Sequence, residues 1–429
     1  MIKIVDYKST QLKLIINNLK NRSSNTSSEI DNSVKEIIEN VKQNGDKALY
    51  EYSKKFDNVE LKSLKIDKNE LKNAYDNADD NFKSALEKAA VNIRKFHEKQ
   101  KQQGFISPEN NGVVLGQRIR GLHKVGIYVP GGTAAYPSSV LMNAIPAKIA
   151  QVGEIIMVTP PSKNGKVNPD ILTAAYIAGV DSVYCVGGAQ AVAALAFSTE
   201  SIPKVDKIVG PGNIYVATAK KQLFGVVDID MIAGPSEILI IADEKSNPAY
   251  IAADLMGQAE HDVLASAILV TTSKKLADKV NIELEKQLEK LNRNKIIKKS
   301  IEDFGLIIGC DNISQAVNFA NDYAPEHLEV MLDNPFEYIG QLDNAGSVFL
   351  GEYSPEALGD YFAGPNHVLP TSSTARFFSP LGVDSFIKKS SFIYYTKAAL
   401  EKSKNDIMLI AEKEGLTAHK NSIKVRFDD

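Results

Sequence analysis

The chain has 429 residues, 44% hydrophobic and 24% charged, with a formal net charge of −3. That length supports two or more hydrophobic cores, and the lack of a basic excess argues against nucleic acid as a partner. The longest purely apolar run, Ala191–Phe197, is too short to cross a bilayer, and the first twenty residues lack the apolar block of a signal peptide, so the sequence reads as a cytoplasmic protein.

The first hundred residues are polar and helical in pattern. The stretch "NRSSNTSSE" reads as a polar loop with capping serines. "SEIDNSVKEIIENVKQNGDKALYEYSKKF" carries apolar residues at helical spacing, interrupted at Gly45, and "KNELKNAYDNADDNFKSALEKAAVNIRKFHEKQKQQ" reads as a long amphipathic helix or a helix pair. Near Gly121 the pattern changes to short apolar strands alternating with helices. "KVGIYV" is followed by the loop "PGGTAAYP", a helix near Ser138–Ala150, "EIIMVTP", a helix, "SVYCVGG" and a further helix. The alternation resumes after "AGPSEILIIAD" and runs through "ASAILVTTS", "FGLIIGC", "HLEVML" and "GSVFL". This is a βαβ pattern, so the expected fold is α/β, with two Rossmann-like parallel-sheet units of similar size that suggest a duplication. The expected boundaries are a helical segment over 1–120, a first unit over 121–236, a second over 237–370 and a helical tail over 371–429.

Ligand sites of parallel sheets lie at strand carboxyl ends. Three glycine-rich turns, "VPGGT", "VGGAQA" and "VGPGN", follow strands and precede helices there. None matches the G-x-G-x-x-G or phosphate-loop spacing, so tight turns that need glycine are as good a reading as a phosphate cradle. Two cysteines, Cys185 and Cys310, stand in apolar contexts without a C-x-x-C pair. They read as ordinary buried thiols, not as nucleophiles or zinc ligands.

Candidate metal ligands are better marked. Gln258 and His261 lie three apart in "GQAEHD", on a helix that starts at Pro248 and is expected to run through both. "GDYFAGPNH" places Asp360 and His367 in a glycine-bracketed loop, and His419 follows the Gly415 stop of the tail helix. Imidazole and oxygen donors together suit zinc. His97 is not a zincin histidine, because Lys101 stands where the second histidine would be. Taken singly, each of these residues is more readily a surface or hydrogen-bonded side chain; the case rests on His261, His327, His367 and His419 all standing in polar loops or at helix ends beside Gly and Pro. Glu326 and His327 follow Pro325, where an amphipathic helix should stop and a strand begin. A carboxylate beside an imidazole at a strand end is suited to proton transfer, and a buried structural pair is the alternative.

In order along the chain, "GIYVPGG", "VGGAQA", "VGPGNIYV", "DMIAGPSE", "DLMGQAEHD", "APEHLE", "GDYFAGPNHVLPT" and "EGLTAH" resemble the histidinol dehydrogenase family. None departs from the family pattern. The resemblance implies a zinc-dependent, four-electron oxidation of L-histidinol through L-histidinal to L-histidine, with two NAD reduced. It implies one zinc per subunit held by Gln258, His261, Asp360 and His419, with Glu326 and His327 as the acid–base pair. It implies NAD contacts from Tyr128, Gln190 and Asn213. Substrate contacts would come from Ser236, His367 and Glu414, along with His327 and the zinc ligands Gln258, His261, Asp360 and His419. It also implies a homodimer whose tail carries Glu414 and His419 into the neighbour's site. Within that scheme His327 takes the alcohol proton and Glu326 activates the water that hydrates the aldehyde. Two other readings are a zinc hydrolase using Glu326 as base and a non-catalytic NAD- or metal-sensing relative. The first would reduce no nicotinamide, and the second has no need of a proton-transfer pair.

Overall fold

Strand-forming runs of Val, Ile and Leu, apolar on both faces, can be hidden only inside a parallel sheet covered by helices. The computed structural model describes residues 2–20, 22, 28–131 and 135–428. Most of the expected serine-rich loop, and residues 132–134 of the first glycine turn, lie outside that set. Along the chain the strands are β1 (Lys3–Asp6), β2 (Lys65–Ile66), β3 (Phe105–Pro108), β4 (Val113–Gly121), β5 (Lys124–Tyr128), β6 (Glu154–Thr159), β7 (Ser182–Cys185), β8 (Lys207–Val209) and β9 (Asp228–Ile229), then β10 (Glu237–Ala242), β11 (Ser266–Thr271), β12 (Gly305–Gly309), β13 (His327–Met331), β14 (Ser347–Leu350) and β15 (Ile387–Tyr395).

Two six-stranded sheets form, in the orders β2-β7-β6-β5-β8-β9 and β1-β12-β11-β10-β13-β14. Leaving aside β1 and β2, each runs third-second-first-fourth-fifth in its own chain order. Each also receives one early strand beside its third. The match in topology agrees with the duplication expected from the sequence. In both sheets the order reverses between the first and fourth strands, β5/β8 and β10/β13, which is where open α/β sheets leave a crevice. In the second sheet Ile238, Ile240 and Ala242 pack on one face, while Leu239 and Ile241 pack on the other. The alternation of a strand therefore serves two buried layers at once.

Helix ends follow the expected chemistry. The helix Ser28–Tyr52 kinks at Gly45, whose φ of 52° is left-handed. A Cβ there would come 2.3 Å from the Glu200 carboxylate. The helix Pro248–Ala259 starts with its proline and an Asn247 cap, but ends before His261, contrary to the expectation that it runs through that residue. No helix among the described residues is long and apolar enough to cross a membrane.

The chain divides into two compact units, Met1–Gln100 with Leu122–Phe386, and Lys101–Gly121 with Ile387–Asp429. The first holds both six-stranded sheets, parallel except for β2, which runs antiparallel to β7, so the N-terminal segment contributes β1 and β2 to them as well as helices. The second holds a three-stranded antiparallel sheet, β15-β4-β3, which the sequence reading did not anticipate, and the helices Lys397–Lys413 and Thr417–Lys424. Its strands are largely exposed, which weakens the alternation that marks a strand.

At the crevice of the first sheet, Gly210 has φ 108°, and a Cβ would lie 2.1 Å from the Tyr128 carbonyl oxygen. Its N–H donates to Asp230 at 2.8 Å and its C=O accepts from Lys220 at 3.0 Å. Lys220 and Asp230 are themselves paired, their side chains 3% and 1% exposed. Replacing Lys220 by Met leaves a buried carboxylate without its cation. We expect a loss of roughly 3–5 kcal/mol in urea unfolding; a loss below about 1 kcal/mol would contradict a tightly held pair.

Candidate active site

The residues that open β13 take their places because the preceding helix must stop. The helix Ile313–Tyr323 ends at Ala324, which is left-handed (φ 54°), and Pro325 cannot continue it. Glu326 and the first strand residue, His327, follow at once. β13 pairs in parallel with β10, with Ile238 opposite His327, so Glu237 sits beside the bend. The Glu237 N–H donates to Glu326 Oε2 at 2.8 Å. The Glu237 C=O accepts from His327 Nδ1 at 3.1 Å. One residue's backbone therefore holds both side chains. The Nδ1–H bond directs Nε2 into the crevice, where it is buried without a hydrogen-bond partner; Asp360 Oδ1 is 3.7 Å away.

These groups lie at the amino ends of the second sheet's switch-point strands, not at the carboxyl ends where ligand sites are expected. The cause is the direction of the neighbouring segments. Gln258 and His261 stand where the helix from β10 returns to β11, and Asp360 belongs to the short helix Glu356–Tyr361 that follows β14. His261, Glu356 and Asp360 offer ligand atoms all within 4.8 Å of one another. The buried Gln258 amide, oriented with its nitrogen toward Glu356, donates to both carboxylate oxygens at 2.6 Å. His367 donates from Nδ1 to the Asp360 carbonyl at 3.0 Å, and its Nε2 lies 3.3 Å from Ser139 Oγ. Ser236 is half-buried immediately before β10. His261 opens onto a cleft of about 410 Å³ shared with Tyr136, Met142 and Tyr361, and a second cleft of about 300 Å³ meets His327, Asp360 and His367.

Electrostatically this cluster is rich in carboxylates. Burial pushes the Glu326 carboxyl up to about 7 and that of Glu356 up to about 8, despite the opposing effect of His327. Burial alone would lower the His327 imidazole, but Glu356, Glu326 and Asp360 together raise it well above its ordinary value. Asp360 is the exception. Burial works against its charge, and the three surrounding imidazoles more than offset it, so its carboxyl is lowered. Imidazole and carboxylate donors converging in a partly buried, acid-rich pocket suit a zinc ion.

The expected NAD residues lie at the carboxyl ends of the first sheet. Tyr128 ends β5 and is buried, and its OH accepts from Gly188 N–H at 3.0 Å. Gln190 is buried in the first turn of the helix Gly188–Phe197. Asn213 caps the helix Ile214–Leu223 and accepts from the N–H groups of Tyr215 and Val216 at 3.0 and 3.2 Å. The Ser139–His367 contact links this end of the first sheet to the histidine cluster. Glu414 and His419 belong to the second unit and are exposed. Burial pushes the Cys185 thiol up to about 12, so it stays protonated and a poor nucleophile. His97 is buried, with Nδ1 on the Ile93 carbonyl at 2.8 Å.

A family model described as histidinol dehydrogenase matches residues 20–427. The chain belongs to the histidinol dehydrogenase family. Histidinol dehydrogenase of Clostridium acetobutylicum is 60% identical over 427 residues, covering 100% of this chain and 99% of the relative. That of Listeria innocua is 59% identical over 416 residues, covering 97% of each. The crystal structure of histidinol dehydrogenase from Elizabethkingia anophelis has a TM-score of 0.92 at 39% identity, covering 99% of this chain and 98% of that one.

Two residues of this site escaped the sequence reading. Glu356 stands four before Asp360, a helical spacing that puts both carboxylates on one face; the signal was present in "PEALGD". Glu237 acts through its backbone, which leaves no trace in residue type. The Glu326 carboxyl has a further consequence. Its ordinary value of 4.5 is raised to about 7 in the fold, so the folded chain holds that proton more tightly. The group contributes stability below about 4.5 and loses it as pH rises through about 7. In metal-free protein the free energy of urea unfolding should therefore fall between about pH 5 and 8, and less steeply in Glu326→Gln. Identical slopes would contradict the assignment.

Proposed function

We propose that the chain oxidises L-histidinol through L-histidinal to L-histidine, the last two steps of histidine biosynthesis, using zinc and reducing two NAD. The observation that carries the reading is the backbone of Glu237 holding a carboxylate and an imidazole side by side, with Nε2 of His327 free and facing Asp360. Gln258, His261 and Asp360 would hold the zinc, with His419 as fourth ligand. Glu356 would hold the Gln258 amide. Zinc supplies a charge that anchors the imidazole and amine of the substrate, and NAD accepts the hydride. Tyr128, Gln190 and Asn213 would line the NAD site at the carboxyl ends of the first sheet.

His327 works as the base of the alcohol step. With Nδ1–H committed to a carbonyl, neutral imidazole presents its Nε2 lone pair to the hydroxyl proton. Among unpaired carboxylates its basicity is high, and a cation bound at Asp360 would bring it toward neutrality. Glu326 takes a proton from the water that hydrates the aldehyde. Oε2 is held by the Glu237 N–H, and Oε1 is left to do this. Ser236, beside β10, and His367, on Asp360, would touch the substrate. The intact acid–base pair favours this reading over a metal- or NAD-sensing relative, and a hydrolase has no use for the nicotinamide.

Dimerisation with a shared site is part of the proposal. The second unit exposes large apolar side chains, among them Ile106, Ile393, Leu409 and Ile410, which suits burial against a second copy. Glu414 and His419 of each copy would complete the neighbour's site. The two free cysteines suit a cytoplasmic chain.

Three outcomes test this. Absorbance at the NADH wavelength should show two NAD reduced per histidinol consumed; one would remove the four-electron reading. His327→Asn should slow the alcohol step by roughly 10²–10⁴-fold in stopped-flow assays with histidinol. Co-refolding inactive His419→Asn with inactive Gln258→Ala should restore about a quarter of parental activity, because in a mixed dimer one site receives both lesions and the other none. No recovery, with subunit exchange verified by mass spectrometry, would mean that each chain supplies its own His419.

A further inference from the structure

The structure assigns Arg22 and Glu237 as positioning residues for the Glu326–His327 pair; this rests on the functional reading above. Arg22 comes from the polar N-terminal segment, yet its side chain is only 1% exposed, and that of Glu237 only 2%. All of its donor nitrogens are engaged. Nη2 meets Glu237 Oε1 at 2.9 Å and the Pro235 carbonyl at 3.1 Å. Nε donates to the Leu264 carbonyl at 2.8 Å and Nη1 to the Leu19 carbonyl at 2.5 Å. The guanidinium therefore ties three places together: the N-terminal helix Leu12–Lys20, the turn before β11 and the start of β10. Tyr323, fully buried at the end of the helix that leads into Pro325, has its OH 3.1 Å from Oγ of Ser266, which opens β11 just after the turn that Arg22 also holds.

The start of β10 is the place where backbone position matters for catalysis. The Glu237 N–H and C=O are the two groups that orient Glu326 and His327. Moving that backbone by a fraction of an ångström moves both side chains together. A buried ion pair is a weak source of stability, because desolvation offsets much of its attraction. Its planar fork does fix geometry, and lysine cannot reproduce five directed donors. Arg22 thus sets the position of β10 from its side chain, and Glu237 transmits that position through its own backbone.

The test compares the parent with Arg22→Lys and, because a lone change can leave a buried charge bare, with Arg22→Met/Glu237→Gln, which removes both charges. Each folded variant is assayed for kcat and KM with histidinol, and for zinc content. We expect kcat to fall by up to roughly 10²-fold, the scale of a 1 Å misplacement, with KM and zinc content close to parental. Combined with His327→Asn, the same change should cost much less than it does alone, because it acts through that residue. A kcat within about twofold of parental in the folded variants, or losses that simply multiply in the His327→Asn background, would overturn the inference. A parent that forms no NADH from histidinol would instead overturn the functional reading, so the two failures are distinguishable.

Discussion

One residue's backbone sets the chemistry of this molecule. The N–H of Glu237 holds Glu326 and its C=O holds His327. Glu237 can reach both because it opens β10, next to a bend in the neighbouring strand. The bend exists because Ala324 and Pro325 stop a helix one residue before Glu326. Two adjacent residues that would point to opposite faces inside a regular strand are thereby brought onto one site. The imidazole tautomer follows from the same bond, because a carbonyl can only accept.

The fold then supplies two ends of different character. The first sheet offers carboxyl ends, helix N-termini and glycine turns, the surroundings that suit a dinucleotide. The second offers amino ends, crowded with carboxylates and imidazoles. The contact between Ser139 and His367 brings the two together. Burial in the second region raises the carboxyl groups of Glu326 and Glu356, while the carboxylates in turn raise His327. Such a pocket is poorly matched to itself and well matched to a divalent cation. By the same physics, a cation that balanced those carboxylates would lower the His327 imidazole toward its ordinary value.

Much of this was legible in the sequence. The alternation of apolar runs and helices gave both parallel sheets, because strands buried on two faces need apolar residues throughout. Pro325 marked the junction that holds Glu326 and His327, and "GQAEHD" marked Gln258 and His261. The helix boundary after Ala259 was misplaced, since nothing in local propensity distinguishes a last helical turn from the turn that follows it. β3, β4 and β15 escaped because their exposed faces carry apolar and charged residues without alternation. Glu237 and Arg22 were invisible for a deeper reason. What they do depends on backbone hydrogen bonds and on a contact 215 positions apart in sequence, and neither property belongs to a residue type. The expected NAD contacts and the shared tail were read only through resemblance to histidinol dehydrogenases, which also joined the candidate metal ligands into one set.

The central claim is that two neighbouring groups, held by one residue's backbone, do two different jobs. It is tested most directly by assaying Glu326→Gln separately on histidinol and on histidinal. The account predicts that oxidation of the aldehyde falls far more than oxidation of the alcohol, since only the aldehyde step needs a carboxylate to activate water. Equal losses on the two substrates would contradict it.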